Sequence, residues 1–361
     1  MKYPILDRYI LKKYLFTFLL AMALIIVIVI TFDVSEKLDD FLSNHAPFRE
    51  IVVNYYCNFI PGFVNLYSPL FIFISVIFFT SKMAGHTEII AILGSGISYR
   101  RLLRPYLHGA LLVAGLVLVI GNFVIPWSNQ YLSEFEQKYI KSSRRNYYTH
   151  VHFQPAPQKQ VYAESYDVVH LTVNRFQQDT YSKEGQLRQR IEAQSLTYDT
   201  AAHTWHASDC FIRTVDGLDE KLTHHKACSI ALPLAPTDFE EYAVDITTLN
   251  TPKLCRHIER ESMRGSARVT YAKIELWQRL LNPLAIIVMT LIGVSISSRK
   301  TRGGIGVHLA IGISIAFAFI VFMKITTVFA TNSTLSPFMA VLLPQIVFGL
   351  AALYLIRTAP K

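Results

Sequence analysis

The chain is poor in charge. Only 17% of its 361 residues are Asp, Glu, Lys or Arg, against about a quarter in an ordinary soluble domain. No G-x-x-x-x-G-K-[ST] segment occurs, so the chain carries no P-loop of its own. LGSGIS and RGGIG are glycine-rich but follow no soluble strand, which argues against a dinucleotide site. No serine or cysteine sits in a nucleophile elbow. His203 and His206 form H-x-x-H, and His224 and His225 are adjacent. Residues three apart on a strand point to opposite faces, so this is a poor metal pair. Asp39 and Asp40, at a water boundary, read as solvated helix-end charges rather than a catalytic pair. The expectation is a protein with no catalytic residues, no metal and no cofactor.

What is present is hydrophobicity. Apolar residues make up 52% of the chain, and the mean hydropathy is positive. Six runs reach the length of about 20 residues that a bilayer-crossing helix needs. They are Tyr14 to Phe32, roughly Val52 to Thr80, Tyr106 to Ile125, Leu280 to Ser298, Ile305 to Met323 and Pro337 to Ile356. The second contains Pro61 and Pro69 and is expected to kink or tilt. The first is too long for a signal-peptide core, and no small-x-small cleavage site follows it. No span carries Asp, Glu, Lys or Arg near its centre; only His108 and His308 lie near span ends. Ion-coupled transporters place ionisable groups at mid-membrane. If this protein moves something, the energy is expected to come from outside the chain.

Basic residues orient the spans. Lys2, Arg8, Lys12, Lys13, Lys82, Arg100, Arg101, Arg104, Arg299, Lys300, Arg302, Arg357 and Lys361 all fall on one side, with only Asp7 and Glu88 as acids. The opposite loop, Asp33 to Glu50, holds five acids and only Lys37 and Arg49 as bases. Both termini are therefore expected in the cytoplasm. The formal net charge of +9 is a topology signal, and nucleic acid is not an expected partner.

Between the third and fourth spans lies a large insert on the non-cytoplasmic side. It begins with a helical stretch at WSNQYLSEFEQKYIKSSRR. Segments rich in β-branched and aromatic residues follow, broken by SKEGQ and DGLDE, and they read as a small antiparallel sandwich or jelly roll. TPKLCRHIERESMRG then returns to helical spacing. Cys57 lies in the second span; Cys210, Cys228 and Cys255 lie in the insert. Three cysteines allow at most one bridge, with Cys210–Cys228 the candidate pair and buried free thiols the alternative.

The segment HTEIIAILGSGIS lies in the cytoplasmic loop after the second span. Thr87 can cap a helix there, and Glu88 in the first turn suits the helix dipole. Ile89, Leu93 and Gly96 share a face, and Gly94 and Gly96 end the element. Two readings are open. The helix lies on the inner leaflet, or it seats in a groove of a separate ATPase.

LDRYILKKYLFTF, EIIAILGSGIS with RLLRP, NFVIPWSNQ, and IELWQRLLNPLAIIVMTLIGVSI followed by RGGIG occur in this order around the insert. With these segments the chain resembles the LptF/LptG (YjgP/YjgQ) family of lipopolysaccharide export permeases over almost its whole length. The resemblance implies six transmembrane helices with cytoplasmic N- and C-termini and an inserted periplasmic β-jelly-roll domain, in the inner membrane of a Gram-negative bacterium. Spans one to three, with a coupling helix at about 86–94, would occupy residues 1–126. The periplasmic domain would occupy 127–270, with its jelly roll at about 150–235, and the last three spans 271–361. The implied partners are lipopolysaccharide, two copies of the cytoplasmic ATPase LptB, a second LptF/LptG-type chain, and LptC/LptA-like periplasmic bridge proteins. Glu88, Ile89, Leu93 and Gly96 would couple to the ATPase, with Ile89 and Leu93 filling its groove. Lys37 and Lys324, near the ends of spans one and five, would meet lipid phosphates, and Val169 and Ile212 would line an apolar conduit for acyl chains. The alternative reading is a membrane-anchored receptor or assembly scaffold whose β-domain binds a protein.

Overall fold

The computed structural model describes residues 5–140, 147–167, 170–200, 202–217, 219–230, 236, 245–263, 268–299, 304–332 and 334–358. Six helices among them are long and apolar enough to cross a membrane. The first is α1 (Ile5–Ser43). The second runs from Phe48 through a π-helical turn at Ile51–Tyr56 into α2 (Cys57–Gly85). The short α3 (Glu88–Gly94) follows. The third long helix joins α4 (Tyr99–Val119) through a π turn at Ile120–Val124 to α5 (Ile125–Tyr139). After the sheet and α6 (Thr251–Met263) come α7 (Val269–Ser297), α8 (Gly304–Thr331) and α9 (Pro337–Thr358). Several helices outrun the apolar runs read from sequence, because helical backbone continues past the point where apolar composition stops.

The chain divides into two compact units. One comprises Met1–Ile140, Thr247–Thr251 and Thr270–Lys361; the other comprises Lys141–Ile246 and Pro252–Val269. In the helical unit α2 is central. Phe71, Ile72, Val76 and Phe79 join one buried cluster with Ile10, Tyr14 and Phe18 of α1 and Tyr106 and Ala110 of α4. Phe73 and Ile77 face a second cluster with Met289 of α7 and Ala316 and Phe319 of α8. Helices this apolar expose many large side chains, such as Phe16, Leu24 and Val27 on α1. In a bilayer the hydrocarbon takes the place of a protein partner for them. Small residues allow the closest approaches. A Cβ on Gly109 of α4 would lie 2.8 Å from Tyr14 Cδ1, and one on Gly312 of α8 would collide with Ile77 Cδ1.

In the second unit, six described strands form one antiparallel sheet in sequence order: β1 (Tyr147–Ala156), β2 (Lys159–Asp167), β3 (Thr172–Tyr181), β4 (Leu187–Asp199), β5 (Thr204–Asp216) and β6 (Asp219–Ile230). Short turns place each strand beside its predecessor, so this order is a meander with no crossover among the described strands. One face buries Val161, Ala163, Tyr166, Val173, Phe176, Leu196 and Trp205. Among the buried apolar residues, alternation fails at one place on each of four strands. The buried residues step by three rather than two from Ala163 to Tyr166, Val173 to Phe176, Ala193 to Leu196 and Ala207 to Cys210. The gap falls on a single cross-strand row, Ser165, Asn174, Ser195 and Ser208. Ser165 accepts from Asn174 at 3.1 Å, and the Ser195 and Ser208 hydroxyls lie 2.6 Å apart. Beside this row Arg175 and Asp209 both have φ of 47°. The register runs unbroken past both residues, so the positive φ re-aims the local side chains without adding a residue to either strand. The break in alternation thus follows one row of small polar residues that are hydrogen-bonded in pairs.

All four cysteines are free thiols. On the β5–β6 ladder Cys210 stands opposite His225, and Cys228 opposite Ala207. The two cysteines are therefore not cross-strand neighbours. Burial pushes the Cys210 thiol up to about 12, aided by its hydrogen bond with Cys228. His203 sits in the turn before β5 with φ of 52°, and no group of three or more potential metal-ligating side chains occurs among the described residues.

Candidate coupling and substrate-contact sites

The short α3 is built by its two ends. Thr87 precedes it in a left-handed conformation, φ 62°, and its side chain makes no capping bond. The expected hydroxyl cap is thus not formed; Thr87 Oγ1 donates instead to His86 O at 2.6 Å. At the exit Gly96 has φ +88°, and no atom lies within 4 Å of where its Cβ would be. Backbone conformation rather than crowding is what favours glycine here.

The packing of α3 corrects one sequence expectation. Ile89 is 1% exposed and belongs to the chain's own core, with Leu93 partly buried against the same cluster. Ile89 therefore cannot fill a groove on another protein. The apolar residue that α3 presents outward is Ile90, 53% exposed. The spacing argument found the apolar face of α3 correctly, but the inner neighbours α2 and α4 cover it.

Glu88, in the first turn, is half-buried. Its Oε2 accepts from Tyr9 Oη at 2.9 Å and from Lys13 Nζ at 3.4 Å, both on α1. Lys13 also lies over the Tyr9 ring, 4.2 Å from its centroid. Two residues earlier on α1, the buried Asp7 takes a bidentate pair from Arg101 of α4 at 2.8 and 2.9 Å. Ser98 caps α4 by accepting from Arg101 N at 3.3 Å. None of these long-range partnerships was foreseen, because 75 to 94 residues separate the partners.

Lys37 lies within α1, which continues to Ser43. It bonds Asp33 Oδ1 at 2.7 Å and the Tyr55 hydroxyl, while Tyr56 Oη donates to Asp33 Oδ2 at 3.1 Å. Lys37 is thus already engaged in a local polar knot. Lys324 also lies inside its helix, since α8 runs on to Thr331. It is exposed, and no ion pair holds it among the described residues. It rims a crevice of about 100 Å³ lined by Tyr67, Leu70, Asn282, Phe319 and Met323. Ile212 of β5 is half-buried against the sheet's apolar cluster. Val169 lies outside the described residues.

A second polar knot was also missed. Arg279 of α7 is buried and donates to Glu275 Oε1 at 2.8 Å, Leu249 O at 2.7 Å and Thr247 O at 3.2 Å. Asn129 and Gln130 of α5 donate to Thr247 O and Thr248 O at 3.4 and 3.1 Å. The segment between sheet and α6 is thereby tied to two long helices.

Six long apolar helices, an inserted antiparallel sheet and a short helix between the second and third spans form a distinctive order. The family profile described as lipopolysaccharide export system permease LptF/LptG matches residues 8–358. The chain belongs to the LptF/LptG family. The resemblance read from the segments of the sequence is borne out over nearly the whole chain, and the receptor or scaffold alternative gives way to a role in lipopolysaccharide export. Permeases of the LptF/LptG family are non-catalytic transmembrane subunits, and the ATPase of the system is LptB. No curated protein matches the chain.

Proposed function

We propose that this permease works with two copies of LptB and a second LptF/LptG-type chain, and that α3 is its coupling helix. The complex extracts lipopolysaccharide from the inner membrane and hands it to LptC/LptA-like bridge proteins. The observation that carries this reading is α3 itself. It is too short to cross a membrane, it sits between two spans, and it offers Ile90 outward beside the half-buried Glu88. The basic flanks of the spans support placing α3 in the cytoplasm and the sheet in the periplasm. Glu88 makes a charge-assisted contact to the ATPase, the partly buried Leu93 shapes the docking edge, and Gly96 sets the sharp exit.

Glu88→Ala is expected to weaken LptB association about ten- to hundred-fold, the usual worth of a charge-assisted hydrogen bond at an interface. The permease itself should still fold. Co-purification with LptB in mild detergent measures this, and wild-type association would sink the assignment of α3.

Lipid phosphates meet Lys324, whose crevice combines largely apolar walls with one cation. Lysine suits this role as a flexible point charge. Lys37 contributes through the field of its knot with Asp33 and Tyr55. The sheet's apolar face, including Ile212, serves acyl chains, and Val169 is assigned to the same role from the sequence alone. Each hydrated lysine contributes on the order of 1 kcal/mol. Lys324→Glu is expected to lower lipopolysaccharide-stimulated ATP hydrolysis several-fold, with Lys37→Glu adding to it. Unchanged stimulation in the double variant would place the phosphates on the other permease chain.

A further inference from the structure

The grip on α1 is uneven. Its buried side chains are Asp7, Ile10, Tyr14, Phe18, Met22 and Phe41, so none lies between Met22 and Phe41. The helix is fully buried only at its N-terminal part and near its far end, and between them Ile25, Ile26, Ile30 and Val34 are only partly buried. At the N-terminal part the grip is polar and specific. Asp7 is held by Arg101, Tyr14 Oη lies 3.1 Å from Thr290 Oγ1, and Tyr9 and Lys13 both reach Glu88.

Both bonds that Glu88 accepts from α1 fall on Oε2. A carboxylate has two oxygens and about four lone-pair sites. Oε1 therefore keeps its capacity for a donor from outside the chain while Oε2 holds α1. We propose that Glu88 is a bridge and that Tyr9 and Lys13 are positioning residues for transport: they fasten α1 to α3, so that displacement of α3 by the ATPase is delivered directly to the first span. This rests on the assignment of α3 as the coupling helix.

The chemistry favours transmission over simple bracing. Tyr9 supplies a directional hydroxyl, and Lys13 a charge that follows the carboxylate through small displacements. Together they keep hold of Glu88 when one bond lengthens. Their attachment points on α1 are four residues apart and so share one face. A pull on α3 is therefore applied along one side of α1, whose middle is only lightly packed.

The test uses the complete complex in proteoliposomes. Its readout is the ratio of lipopolysaccharide extracted to ATP hydrolysed. Tyr9→Phe/Lys13→Met keeps the ring and the stem but removes both donors. The ratio is expected to fall about five-fold or more, the lower range of a typical coupling effect. Lys13→Arg alone is expected to retain the ratio, which a role limited to shape would not predict. A wild-type ratio in the double variant overturns the proposal. So does loss of LptB from the double variant, because the two residues would then serve docking instead. If Glu88→Ala binds LptB and exports normally, the coupling reading fails, whatever the α1 variants do.

Discussion

Arg279→Met should destabilise the helical unit by about 3–5 kcal/mol, the cost of removing one partner from a buried ion pair. Methionine can fill much of the volume of the lost stem. It cannot donate to Glu275, Leu249 O and Thr247 O, which now share one guanidinium at 2.7 to 3.2 Å. Thr247 O keeps a long bond from Asn129, at 3.4 Å, but Leu249 O has no second donor on the helices that clamp it. The segment at 246–251 should loosen first. Limited proteolysis there and the midpoint of thermal unfolding in detergent measure the effect. Replacing both partners, as in Glu275→Leu/Arg279→Met, should recover part of the loss, because no unpaired carboxylate then remains. Equal stability of Arg279→Met and the wild type would show that water replaces the guanidinium without cost.

Gly109→Val should displace α1 from α4. The first added carbon would stand 2.8 Å from Tyr14 Cδ1, 3.0 Å from Cε1 and 3.2 Å from Leu11 Cδ1. Tyr14 has little room to yield. Its hydroxyl is tied to Thr290, and its ring packs edge-on to Phe79 with centroids 6.3 Å apart. Overpacking of this kind costs about 1–3 kcal/mol or more. Since α1 has few other buried positions, the damage should concentrate on that helix. The control lies six residues further along the same helix: Gly115 has no atom within 4 Å of its would-be Cβ, so Gly115→Val should be tolerated. Thermal unfolding of both variants, with the accessibility of single cysteines introduced along α1, separates the outcomes. A Gly109→Val protein as stable as Gly115→Val would mean that Tyr14 is free to move.

The two variants probe features of different legibility. Gly109 lies in an apolar run that marks a span, but nothing in that run says which glycine faces a tyrosine. Arg279 sits just before the expected start of its span, and its sequence neighbours do not reveal that it holds a returning loop.

The sequence by itself determined the class of this protein. Six apolar runs without central charge and a β-rich insert sufficed for the six long helices and the inserted antiparallel sheet, and ordered local segments sufficed for the family. These features are legible because hydrocarbon acts on each helix separately: every span must be apolar and about as long as the bilayer is thick. The position of α3 and the positive φ at Gly96 are equally local matters. The tertiary structure alone decided which side of α3 is hidden, burying Ile89 and leaving Ile90 outside. It alone paired Glu88 with Tyr9 and Lys13, Asp7 with Arg101 and Arg279 with Leu249. It also aligned the breaks in alternation of four strands in one cross-strand row, which no single strand reveals. The reason is the same in each case. Hydropathy and backbone preference are set by a residue and its near neighbours, whereas a hydrogen bond, an ion pair or a cross-strand row depends on segments that folding alone brings together.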